Sequence, residues 1–282
     1  MRRRLRSFRV PVLVLALVAV LAATRGLNVL AAGNKPFALV VGLATAVAAI
    51  FCYRWLSGYV ENRATITELS PDNRWPGLAK GGILGFSLFV TMMLIIGMFG
   101  GWSAVTAGSP AAALATLGTV ASIAVNEELL FRGVVFRILE ERTGSVIALV
   151  SSSLIFGLTH LVNDHATLWG TLALGIEGGM LTGVCYVFSR SLWLPIGLHF
   201  AWDYTHIGVF GLPTSSSLQG GDTGLLHTVL TGPTLLSGGE FGPEASLVAL
   251  VVCLVPTFLM LRRAGRTGRL IPRPARRTAV TG

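Results

Sequence analysis

Residues 36–58 read PFALVVGLATAVAAIFCYRWLSG, an unbroken apolar run whose sole charge is Arg54. About 20 apolar residues in a helix cross the hydrocarbon of a bilayer, so this stretch is a membrane span. Working outward from it, seven further runs have the same character: roughly 10–32, 78–102, 110–138, 145–163, 167–189, 191–211 and 244–261. The composition agrees. Charged residues make up 12% of the 282, against about 25% in a soluble domain, and AVILMFWYC make up 52%. An ordinary water-soluble enzyme and a disordered chain are both excluded. The expected fold is all-α, a polytopic membrane bundle of about eight helices.

Basic residues in the connectors orient the bundle, because Lys and Arg collect on the cytoplasmic side. With a cytoplasmic N-terminus and eight alternating spans, all but Arg25 and Lys35 of the 22 Lys and Arg fall inside. This predicts a multi-pass protein of the plasma (inner) membrane with both termini cytoplasmic. The net charge of +9 is therefore topological and calls for no nucleic acid partner. The expected organisation is helices 1–3 over 1–109, a core of helices 4–7 over 110–211, an extracytoplasmic loop over 212–243, and a last helix with a basic tail over 244–282. The loop is rich in Gly, Ser and Thr and is expected to be flexible. The tail from Arg262 is expected to be disordered and drawn to anionic headgroups. Cys52, Cys185 and Cys253 lie in apolar runs with no C-x-x-C pair, which argues for packing over disulfide or thiolate chemistry.

The informative residues are ionisable groups inside the runs, each costing about 2.5–3.5 kcal/mol at a span centre. In Asn126-Glu127-Glu128-Leu129-Leu130-Phe131-Arg132, Glu128 and Arg132 are i,i+4 in the favourable order and form a pair. Glu127 points about 100° away with no local partner, a setting suited to a general base. Phe156-Gly157-Leu158-Thr159-His160 places one imidazole at the end of the fifth run. His199 and Asp203, i,i+4 in His199-Phe200-Ala201-Trp202-Asp203, place another beside a carboxylate. Glu177, among Gly175, Gly178 and Gly179, either pairs with Arg132 or lines the site. Asp164, His165 and His206 read as residues of helix ends.

E-E-x-x-x-R, F-x-x-x-H and H-x-x-x-D, in this order on successive core runs, resemble the CPBP family of intramembrane endopeptidases, the type II CAAX prenyl protease and bacteriocin-processing (Abi) family. The resemblance rests on Glu127, Glu128, Arg132, Phe156, His160, His199 and Asp203 and covers about 110–211. It implies hydrolysis of a peptide bond in a membrane-anchored or lipidated peptide or protein. Glu127 and His160 would activate water, and His199 with Asp203 would stabilise the oxyanion. An ionised Asp203 only accepts hydrogen bonds, so it would act protonated, through the tautomer of His199, or as a metal ligand.

Glu127, His160, His199 and Asp203 also offer the N and O ligands of a catalytic zinc, and the sequence leaves a divalent metal and a metal-free glutamate-type site both open. Other protease patterns are missing: there is no H-E-x-x-H and no G-x-S-x-G, and Gln219-Gly220-Gly221-Asp222 is not G-x-G-D. Two other classes remain, a proton-coupled transporter or channel, since buried Glu, His and Asp also relay protons, and a non-catalytic scaffold or bacteriocin immunity protein.

Overall fold

The computed structural model describes residues 8–212 and 224–273. Arg2, Arg3, Arg4 and Arg6, the Gln219–Asp222 stretch and the tail beyond Arg273 lie outside the described residues. Within them the chain is a helical membrane bundle. Its elements are α1 (Arg9–Ala31), α2 (Lys35–Glu61), α3 (Arg74–Met98), β1 (Trp102–Ala107), α4 (Pro110–Thr143), α5 (Ser145–Thr159), α6 (Leu168–Ser189), α7 (Trp193–Asp203), β2 (Leu226–Leu230) and α8 (Leu247–Arg266). Local chemistry sets several starts. Side chains of Asn34, Ser109, Thr167 and Ser246 accept from the backbone N–H of Phe37, Ala112, Gly170 and Ala249, which satisfies amides that a helix start leaves free.

Seven of these helices are long and apolar enough to cross a membrane. The run expected at 191–211 is the exception. Its α-helix ends at Asp203 and a π-helical turn, Tyr204–Val209, completes it. That length is about 25 Å, somewhat short of the hydrocarbon thickness. The seventh of the expected helices is thus a shorter one, walled by its neighbours. Other boundaries move by a few residues. α3 stops at Met98 because Gly100 turns the chain at φ +75, and α4 runs on to Thr143.

α3 lies against α7 with the two backbones almost touching. A Cβ on Gly81 would stand 2.2 Å from the Leu194 carbonyl oxygen, and one on Gly85 would stand 2.3 Å from that of Leu198. Only glycine permits this approach, the small-residue packing of membrane helices. It fixes the depth and rotation of α7, which carries His199 and Asp203.

Two expectations about connectors are corrected. The described part of 212–243 is ordered: β2 pairs antiparallel with β1, Val105 opposite Thr228 and Ala107 opposite Leu226. The strand's partner lies over 100 residues away, so composition alone shows only a polar loop. The tail is ordered as far as Arg273. Ser145 donates its N–H to the Ile271 carbonyl at 2.9 Å, and Ile271 donates to Ser145 Oγ at 2.8 Å.

The connector between α2 and α3 is tied down by buried charge. Glu68 accepts from Tyr53 Oη at 2.6 Å and from both Arg63 amino groups at 2.7 and 2.5 Å. Burial pushes the Glu68 carboxyl up, but the Arg63 and Tyr53 hydrogen bonds outweigh this and hold it below the usual carboxylate range.

Candidate active site

Three helices swell into a π-helical turn beside the ionisable residues: α4 at Phe131–Phe136, α6 at Gly175–Met180, and the end of α7 at Tyr204–Val209. Such turns widen the backbone ladder and leave carbonyls to be satisfied by side chains. Here the Gly133 carbonyl takes Tyr53 Oη at 2.9 Å and Arg137 Nε at 2.8 Å, and the Gly178 carbonyl takes Thr182 Oγ1 at 2.6 Å.

Glu128 stands at the centre. It is fully buried, and its Oε1 accepts from Arg132 Nη1 at 2.8 Å and from His199 Nδ1 at 2.9 Å. Arg132 is equally buried. Its Nη2 donates to the carbonyls of Gly178 at 3.2 Å and Gly179 at 2.8 Å, and its guanidinium lies 4.8 Å from the Phe156 ring centre. The i,i+4 pair legible in the sequence therefore bonds three elements at once: α4, the π turn of α6, and α7.

With Nδ1 donating to Glu128, the other nitrogen of His199 faces the site. Nε2 is 3.4 Å from Asp203 Oδ2 and 3.9 Å from Glu127 Oε2. Glu128 thus meets the His199 ring at Nδ1 and Asp203 stands at Nε2. Glu127 keeps 17% of its side chain exposed, against 0% for Glu128, so the two neighbours occupy different surroundings.

His160 ends α5. Its Nδ1 lies 2.9 Å from the Phe156 carbonyl, an acceptor, so Nδ1 carries a proton, and a neutral ring has its lone pair at Nε2. Its ring packs on Phe156 at 4.9 Å between centres, and the same Phe156 ring meets His199 edge-on at 6.2 Å. Among the described residues no hydrogen bond or ion pair joins His160 to Glu127, His199 or Asp203. The structure therefore gathers Glu127, Glu128, Arg132, His199 and Asp203 into one contact chain and brings His160 to it through Phe156.

Glu177 does not pair with Arg132. It is 1% exposed, and neither carboxyl oxygen meets a protein donor. Arg132 instead reaches the carbonyls of the two residues that follow Glu177. His206 is buried, not at a solvated helix end: Nδ1 is 3.6 Å from Glu244 Oε1, which also accepts from Trp202 Nε1 at 2.9 Å. Glu244 escaped the sequence reading. Its only signal was a carboxylate at the edge of the last apolar run. His165 is exposed, as expected of an end residue.

The donor set does not make a metal cage. Among the described residues no three His, Cys, Asp or Glu side chains stand close enough to hold an ion. The Phe156 ring touches both imidazoles, 4.9 Å from His160 and 6.2 Å from His199 between centres.

No curated protein and no solved structure matches the chain. A protein-family model does: type II CAAX prenyl endopeptidase Rce1-like, over residues 109–205. That interval takes in α4 to α7 and every residue of the contact chain just described. Residues 109–205, and with them the candidate site, are similar to the Rce1-like family of type II CAAX prenyl endopeptidases.

Proposed function

We propose that this chain is an intramembrane endopeptidase hydrolysing a peptide bond of a membrane-anchored or lipidated peptide, by glutamate chemistry without a metal. The observation that carries the reading is the meeting of Glu127, His199 and Asp203 at His199 Nε2, within a bundle of membrane-length helices. Amide hydrolysis needs an activated water and a group that receives the charge developing on the carbonyl oxygen.

Glu127 takes a proton from water, and the Nε2 lone pair of His160 holds and polarises that water. The hydroxyl adds to the carbonyl carbon. Since Nδ1 of His199 is engaged with Glu128, a proton on Nε2 is the one offered to the oxyanion. Asp203 holds that N–H until the substrate oxygen arrives. The C–N bond then breaks and Glu127 passes its proton to the leaving amine. Both termini are cytoplasmic in the plasma (inner) membrane on this reading, with basic connectors on the same side.

The test is cleavage of a fluorogenic membrane-peptide library by purified protein in liposomes. Wild type should cut with and without a chelator, and Glu127→Ala and His160→Ala should be inactive. Variants as active as wild type would remove the assignment, and loss of cleavage on chelation would replace glutamate chemistry with metal chemistry.

A further inference from the structure

Glu177 is a buried acid of the span α6 that the contact chain does not use. Burying a carboxyl group without hydrogen-bond partners is costly in either protonation state, yet both its oxygens lack a protein donor. It borders a cavity of about 30 Å³ whose wall also includes Phe156, His199, Trp202, Asp203 and Cys253. A cavity of that size accommodates one or two waters where polar groups line it, and within a largely apolar wall that includes Leu174, Leu181 and Leu198 this one has Glu177, Thr182, His199 and Asp203. The polar members of that wall supply the partners a bound water requires: the Glu177 carboxyl, Asp203 and His199. Thr182 Oγ1, also on the wall, donates to the Gly178 carbonyl and is left to a water only as an acceptor.

We propose that Glu177 anchors a buried water in this cavity, and that this water supplies the hydrolytic reaction. The second half rests on the endopeptidase reading. Each turnover consumes one water: its hydroxyl ends in the new carboxylate and its remaining hydrogen on the released amine. In a bundle surrounded by lipid, that water must be stocked near the reacting carbonyl. The cavity is lined by His199 and Asp203, the residues assigned to the oxyanion, and by Gly178 of α6, whose carbonyl also takes Arg132. Glu177 thus acts as a positioning residue for water, at one remove from the peptide bond.

The water itself is tested by X-ray radiolytic labelling, which oxidises a buried side chain only where a bound water touches it. Wild type should label at Trp202 and Cys253, both buried. Glu177→Leu should abolish labelling at both while exposed Trp75 labels as before, and Glu177→Gln, which retains polar groups, should restore it. Unlabelled Trp202 and Cys253 in the wild type would overturn the proposal whether or not Glu177→Leu folds. On a cleaved peptide, Glu177→Leu should lower kcat by about tenfold or more with KM little changed, and Glu177→Gln should recover most of the rate. Loss of labelling with full kcat would make the water structural and overturn its catalytic role. A wild type that labels but cleaves nothing would fail the endopeptidase reading and, with it, the supply role, while the water site itself stands.

Discussion

Glu128 and His199, 71 residues apart, share a hydrogen bond of 2.9 Å through Oε1 and Nδ1. The same oxygen holds the buried Arg132, so one carboxylate both neutralises a guanidinium inside the membrane and sets the ring of the central imidazole.

Replacing Glu128 should therefore act on stability and on activity together. Glu128→Ala leaves the Arg132 charge buried and unpaired, a loss of about 3–5 kcal/mol, and frees the His199 ring. Thermal unfolding in detergent should show a large fall, with cleavage abolished. Unfolding unchanged from wild type would contradict the central position of Glu128.

Glu127 should separate the two effects. It is partly exposed and its nearest cation-forming group stands 3.9 Å away, so Glu127→Gln should change stability by less than about 1 kcal/mol. Loss of a general base should lower kcat by about 10²–10⁴-fold. Paired measurements of Tm and kcat on the two glutamate variants provide the contrast.

The approach of α3 to α7 predicts an asymmetry between adjacent glycines. A Cβ on Gly81 meets the Leu194 carbonyl at 2.2 Å, whereas one on Gly82 meets nothing within 4 Å. Gly81→Val should displace α7 and lose both folded yield and activity. Gly82→Ala should fold as well as wild type or better by up to about 1 kcal/mol. Size-exclusion profiles and cleavage of the two variants decide this, and equal tolerance at both positions would contradict the packing.

Acid should loosen the connector between α2 and α3. The folded Glu68 carboxyl titrates below its ordinary value because Arg63 and Tyr53 bind its ionised form against the cost of burial. A depressed folded pKa contributes stability that is present above the unfolded pKa and lost as pH falls through the folded one. Unfolding temperature measured from pH 7 down to pH 3 should fall in that acid range, and Glu68→Gln should start lower and flatten that part of the profile.

Much of the architecture was open to reading in one dimension. A run such as 36–58 must be a helix in lipid, since its backbone groups have no water to bond and must satisfy one another. The same logic made Glu127, Glu128, Arg132, His160, His199 and Asp203 conspicuous, because an ion in hydrocarbon persists only when it is paired or used. The Glu128–Arg132 pair was legible because its spacing is local. The partners of Tyr53, His206 and Glu177 were not: Glu68 lies in a polar connector, Glu244 borders a loop, and Glu177 has no protein partner at all.

Span positions, the helical class and the set of ionisable residues in the membrane were thus determined by the sequence itself, through hydrocarbon thickness and the cost of charge. Tertiary structure alone decided that His199 meets Glu128 as well as Asp203, that β1 finds β2, that His160 reaches the site through Phe156, and that Glu177 faces a cavity. Each of these depends on how helices distant in sequence cross. Those crossings follow from glycine approaches and π-helical turns, which reposition side chains by whole ångströms without leaving any period in the sequence to count.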